Sequence, residues 1–240
     1  MKRILNLAAA VAVATVGFAA QSFAQTNVKS EPSQVGVTFS KIYVPVGFDS
    51  NDHVQFVGEG TFKNSCYRPA ATTVAVDNAS KTIKVGPVAY EYNGLCLQVI
   101  LPFERVVDVG VLPAGLWQVV LTDGKKLGEI EVKPTLSPEP DDFLYAPISQ
   151  AYVRQSGSRT NLYLNGSFPN ECMSIQDVKI TITEDAIMVQ PIAVMAEGAC
   201  TGAPKSFTKL VKLPAVKAGR YLLHVRSING NAINTLIDVQ

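Results

Sequence analysis

The amino-acid sequence predicts an all-β protein built as two tandem β-sandwich domains from an internal duplication, with one disulfide in each. Three observations carry this expectation. Gly60-Thr-Phe-Lys-Asn-Ser-Cys66 returns 106 positions later as Gly166-Ser-Phe-Pro-Asn-Glu-Cys172. The correspondence continues at an offset of 104 through Ile83/Ile187, Pro87/Pro191, Gly94/Gly198, Cys96/Cys200, Phe103/Phe207 and Trp117/Tyr221, and at 107 through Ile130/Ile237 and Val132/Val239. Apolar residues alternate with period two in short runs, and no run of 11 residues sustains the helical period. Offsets of this size are the length of a small β domain, not of a solenoid unit.

Taken in order, residues 1–24 read as a secretory signal peptide. Lys2 and Arg3 precede an Ala/Val-rich run, and Ser22-Phe23-Ala24 places small residues before Gln25. Residues 25–34 form a polar leader. The first sandwich is expected over 35–133: alternation from Val35 to Val46, a turn-rich loop from Phe48 to His53, then strands at Val54 to Phe62, Val74 to Val76, Thr82 to Val88, Leu95 to Phe103, Leu116 to Thr122 and Gly128 to Val132. Three prolines in ten residues mark 134–142 as a linker. The second sandwich, 143–240, repeats the pattern with strands at Ala151 to Val153, Leu162 to Phe168, Val178 to Thr183, Ile187 to Val194, Ser206 to Lys212, Tyr221 to Arg226 and Ala232 to Val239. Asn165-Gly166 suits either a hairpin turn or a bulge.

Leu112-Pro-Ala-Gly-Leu-Trp117 and Val216-Lys-Ala-Gly-Arg-Tyr221 resemble the turn-plus-aromatic entry to a late strand in bacterial secreted immunoglobulin-like and fibronectin-III-like β-sandwich modules. The resemblance covers both domains and implies Ig-like sandwiches. The cysteines depart from the immunoglobulin pattern, because Cys66 and Cys96 fall too early for its inter-sheet bridge and enclose no Trp.

Four cysteines allow three pairings, and only Cys66 with Cys96 and Cys172 with Cys200 treats both copies alike within a domain. Closing a loop of that size is worth roughly 3–4 kcal/mol in the chain-entropy account, a large share of a small domain's stability. A four-thiolate zinc site would need closely spaced pairs that the chain lacks. Persisting disulfides and the leader together point to a bacterial periplasmic or secreted protein.

Composition excludes more than it selects. The chain has 21 basic and 20 acidic residues, and without Lys2 and Arg3 the balance becomes 19 against 20. No concentrated positive field is available for a nucleic-acid partner, and the mature chain has no apolar run long enough for a transmembrane helix. His224 reads as a strand residue matching Val120. His53 lies beside Asp49 and Asp52, but no nucleophile turn accompanies it. The oxygen-rich clusters Asp49/Asn51/Asp52 and Glu139/Asp141/Asp142 each supply fewer ligands than calcium takes, so no metal or cofactor is expected. The sequence points away from an enzyme; a hydrolase would have to work through carboxylates, and no paired acids fall on matched strand ends.

Features shared by both copies are fold requirements, and differences are where a partner is read. Trp117 drops out because Tyr221 replaces it. The early loop carries Asp52 and His53 in one copy and Arg154-Gln-Ser-Gly-Ser-Arg159 in the other. Leu97-Gln-Val-Ile-Leu101 is apolar where Thr201-Gly-Ala-Pro-Lys205 is polar, and Tyr67-Arg68 stands opposite Met173-Ser174. If 97–101 continues a strand buried on one face, Gln98 and Ile100 point outward beside Tyr67, a candidate partner surface whose ordinary use is packing against the linker or the second domain. The expected function is non-enzymatic binding, adhesion or envelope organisation with a protein or cell-envelope component as partner. The alternative is a periplasmic chaperone or inhibitor presenting an edge strand.

Overall fold

The computed structural model describes residues 31–135, 141–157 and 159–240. The segment expected to be a signal peptide, most of the expected polar leader, the centre of the expected linker and Glu139 lie outside the described residues. Among the described residues no helix is long and apolar enough to cross a membrane.

The first half is built from β1 (Ser33–Gly36), β2 (Lys41–Tyr43), β3 (Phe48–Asp49), β4 (His53–Phe62), β5 (Tyr67–Pro69), β6 (Thr73–Asp77), β7 (Thr82–Gly86), β8 (Val88–Glu91), β9 (Leu101–Val111), β10 (Gly115–Leu121) and β11 (Lys126–Lys133). The second contains β12 (Ile148–Ser156), β13 (Arg159–Phe168), β14 (Met173–Ile182), β15 (Ala186–Met195), β16 (Lys205–Lys212), β17 (Gly219–Arg226) and β18 (Ala232–Val239). In the first sandwich the sheet β2-β4-β9 faces β3-β11-β10-β7-β6, with a small sheet β1-β8-β5 beside them. In the second, β12-β13-β16 faces β14-β15-β17-β18. The equivalent pairs β7/β10 and β15/β17 are parallel.

Alternation decides which face is core. Along β4, Val54, Phe56, Gly58, Gly60 and Phe62 are buried inward, meeting Trp117, Val119, Ile130 and Ile83 from the facing sheet. Leu162, Leu164 and Phe168 do the same in the second copy against Ile187, Val189, Leu223 and Val225.

Two sequence expectations need correction and a third is resolved. The run Val35 to Val46 is two strands, because β1 pairs with β8 while β2 pairs with β4. The expected strand Leu95 to Phe103 begins only at Leu101 and continues to Val111. Of the two alternatives for Asn165-Gly166, the bulge holds and the turn does not: the pair lies inside β13, and the register shift sits opposite it in β12, between Ile148 and Gln150.

Candidate functional site

The duplicated motif is a frame that holds one exposed loop per sandwich. Its glycine makes room for an aromatic: a Cβ on Gly60 would stand 2.5 Å from the Thr38 carbonyl oxygen and 2.6 Å from the Phe103 ring, and one on Gly166 would stand 2.0 Å from the Pro147 oxygen and 2.6 Å from Phe207. Its phenylalanine stacks on that same ring, with centroids 4.3 Å apart for Phe62/Phe103 and 4.4 Å for Phe168/Phe207. Its asparagine turns the chain, since Asn64 Oδ1 accepts from the Cys66 N–H at 2.9 Å and Asn170 Oδ1 from Cys172 at 3.0 Å. The cysteines close the frame as Cys66–Cys96 and Cys172–Cys200.

In the first sandwich the framed loop runs from Tyr92 to Ile100, with Leu95–Ile100 outside any strand. Its backbone is pinned near the bridge: the Ser65 N–H donates to the Leu97 oxygen at 3.0 Å, and the Leu97 N–H donates to Ser65 Oγ at 2.8 Å. Its aliphatic side chains face water. Leu95 is 106% exposed, Leu97 71%, Val99 43% and Ile100 74%, and Gln98 is exposed with them. These four aliphatic side chains therefore present no buried side, and they are not covered by the second sandwich.

Tyr67, expected beside Ile100 on that surface, is 5% exposed. It pairs with Glu91 across β5/β8, stacks on Phe62 at 5.7 Å and donates its hydroxyl to the Glu91 carboxylate. It is core, because β5 turns the residue after the cysteine inward. The counterpart loop of the second sandwich, 196–204, is exposed but made of small and polar residues. It is tied in the same way, Glu171 accepting from the Thr201 N–H at 2.5 Å.

A second cluster joins the sandwiches. The outer face of β2-β4-β9 lies on the outer face of β14-β15-β17-β18, and Tyr43 and Val57 bury Ala186, Met188 and Leu222, with Leu236 at the margin. Ion pairs surround this apolar patch. Arg226 reaches Asp52 at 2.5 Å, their side chains 9% and 5% exposed. Burial works to lower the Arg226 pKa, but the Asp52 carboxylate together with Tyr145 and Asp141 outweighs it and the net direction is up. Arg220 meets Glu59, Glu104 and Asp238, and Lys41 meets Asp185 at 2.8 Å. Burial and the Glu59 carboxylate push the Tyr43 phenol up to about 12.

His224 is buried here, with Nδ1 2.7 Å from Asn234 Oδ1. Asn234 donates onward to Gln55 Oε1 at 2.8 Å across the joint, so its oxygen faces His224 and the imidazole carries its proton on Nδ1. Burial pushes His224 down to about 4, the Asn234 bond opposing and the Arg226 charge adding. A small cavity of about 130 Å³ opens between Phe48, Met188, His224 and Arg226.

The acidic loop is absorbed by this joint. Asp52 accepts from the Asp49 N–H as well as from Arg226, and Asp49 accepts from the Asn51 N–H. Asp141 accepts from the Gly230 N–H at 3.2 Å. Among the described residues no three His, Cys, Asp or Glu side chains gather as a metal site. His53 is exposed, with Nδ1 4.0 Å from Asp108.

Comparison with known proteins matches the two halves separately. The model of the ORF11 beta-sandwich domain family covers residues 58–132 and 162–239, together more than half of the chain. The chain belongs to the ORF11 beta-sandwich domain family. The matched segments run from within β4 to β11 and from within β13 to β18, one in each sandwich, so the family boundary follows the duplication. No curated protein and no solved structure matches the chain.

Within this family chain the two copies use equivalent faces differently. The row Tyr43–Val57–Val106 crosses the first three-stranded sheet, and Tyr152–Tyr163–Leu210 crosses the second at the same register. The first row is partly covered by the second sandwich. In the second row the two tyrosines stack at 5.1 Å, with the Arg154 guanidinium 5.3 and 5.5 Å from their centres, and Leu210 is exposed. Sequence reasoning missed Arg220 and Arg226. The available signal was the replacement of Leu116 and Thr122, at the 104 offset, by two arginines.

Proposed function

We propose that this chain is a non-enzymatic, exported bacterial binding protein of the cell envelope, in which the joined sandwiches are a rigid mount and the loop Tyr92–Ile100 is the contact. The observation that carries this reading is the run of large aliphatic side chains left in water on a disulfide-pinned loop. Exposed apolar patches on soluble domains are contact surfaces, and the polar counterpart loop removes a folding reason for the apolarity. Paired disulfides and the leader-like N-terminus support an oxidising compartment.

The strand-addition alternative has less support. The free edge of β16 carries Lys205, Lys209 and Lys212, and β9 carries Pro102 and Gly110, both devices that discourage edge pairing. The test is affinity capture from bacterial envelope extract with the protein and its Leu95→Asp/Leu97→Asp variant. The reading expects an envelope component retained by the first and lost by the second; equal capture by both refutes it.

A further inference from the structure

We propose that the loop Tyr92–Ile100 docks on a lipid bilayer with anionic headgroups, its aliphatic side chains entering the acyl region while Lys63 and Arg68 meet the phosphates. This rests on the loop being the contact surface, and it names what the loop contacts.

Two observations favour a lipid surface over a folded partner. The first is the absence of a covered side. Leu95, Leu97, Val99 and the adjacent Ile100 are all exposed, and Tyr92 is partly so. A folded partner covers the side of a projecting loop that faces it, whereas a fluid hydrocarbon phase surrounds the loop and desolvates every side chain at once.

The second is the charge at the loop's base. Lys63, on the stretch that leads into the bridge, is largely exposed. Arg68 donates to the Ser65 and Tyr67 carbonyl oxygens, and the Ser65 N–H holds Leu97. Two cations thus ring the root of an apolar tip. Glu91, 3.9 Å from Lys63, offsets part of one of them while also accepting from Tyr67. Apolar insertion combined with basic residues at headgroup level is the arrangement that reversible interfacial anchors use. The counterpart loop has Glu197 and small residues instead, so one protein carries one anchor and an internal control.

The test uses the purified protein and sedimentable vesicles of phosphatidylethanolamine with phosphatidylglycerol. The protein is expected to sediment with them, and Leu95→Asp/Leu97→Asp to lower the partition coefficient by at least about tenfold. Lys63→Gln should lower it about fivefold at low salt, with little effect on vesicles of phosphatidylcholine alone. In Ile100→Trp the new indole should shift its emission to shorter wavelength on vesicle addition. No sedimentation with anionic vesicles, or an unmoved emission, overturns the lipid assignment. If envelope capture still requires Leu95 and Leu97 in that case, the loop contacts a protein and only the lipid assignment falls. If neither readout depends on the loop, the binding reading falls with it.

Discussion

Replacing Arg226 with alanine should be among the most damaging single changes outside the two cores. Arg226 and Asp52 come from different sandwiches, 174 residues apart in the chain, and meet at 2.5 Å with their side chains almost wholly excluded from water. Removing one partner of a buried pair typically costs about 3–5 kcal/mol, because the other charge remains desolvated. Here Asp52 keeps the Asp49 N–H at 3.0 Å, which places the cost near the lower end, about 3 kcal/mol. For a chain of this size that corresponds to a melting-temperature decrease of roughly 6–12 °C. Asp52→Asn/Arg226→Ala removes both charges and should recover part of the loss, giving a coupling energy of at least about 2 kcal/mol in a double-mutant cycle with Arg226→Ala and Asp52→Asn. Urea denaturation of the four proteins measures it. A single-mutant cost below about 0.5 kcal/mol, or a coupling near zero, would mean that the pair behaves as a surface ion pair and that the joint is not closed in solution.

Acid should loosen the same joint through His224. Its folded pKa of about 4 lies below the unfolded value of 6.5, so the unfolded chain binds the proton first, and stability is lost as pH falls from 6.5 towards 4, by on the order of 3 kcal/mol. His224→Val, which installs the residue of the other copy, should flatten the urea midpoint over that window relative to the parent. Ile100→Asp should move the melting temperature by no more than about 2 °C, as a surface change does, whereas Tyr67→Asp should destabilise the first sandwich by about 3 kcal/mol or more; circular dichroism melts separate the two. Gly166→Ala should cost about 2 kcal/mol or more by the same melts, because the new methyl meets a backbone oxygen and the Phe207 ring, and backbone yields least.

Much of this architecture was legible because the chain states it twice. The two copies share the cysteine pairs and the recurring Gly, Phe and Asn, and the structure supplies the reasons: space beneath Phe103 and Phe207, ring stacking, and an asparagine turn. The aromatic at Trp117/Tyr221 was likewise read as packing, and in both copies its polar atom donates to the carbonyl four residues before it at 3.0 Å. The loop at 95–100 was misread as strand because apolar residues in a row look alike whether they face a core or face outward. Tyr67 was misread because sequence shows neither β5 nor its partner β8. The joint was hidden for a different reason, since a contact between Asp52 and Arg226 leaves no local pattern. Its trace was in the alignment of the copies, where Leu222 and Leu236 stand opposite Gln118 and Glu129, a polar-to-apolar switch on an outward face.

That switch bears on how the gene can change. Tandem copies of a coding sequence tend to be homogenised by recombination, each overwriting the other. Here, overwriting the second half with the first would put glutamine and glutamate where Tyr43 and Val57 need leucine, and would delete both arginines of the joint. Overwriting in the other direction would remove Asp52 and give the loop after Cys96 the character of the one after Cys200. The two halves are therefore complementary parts rather than spares, and exchange between them in either direction removes contacts on which the joint depends.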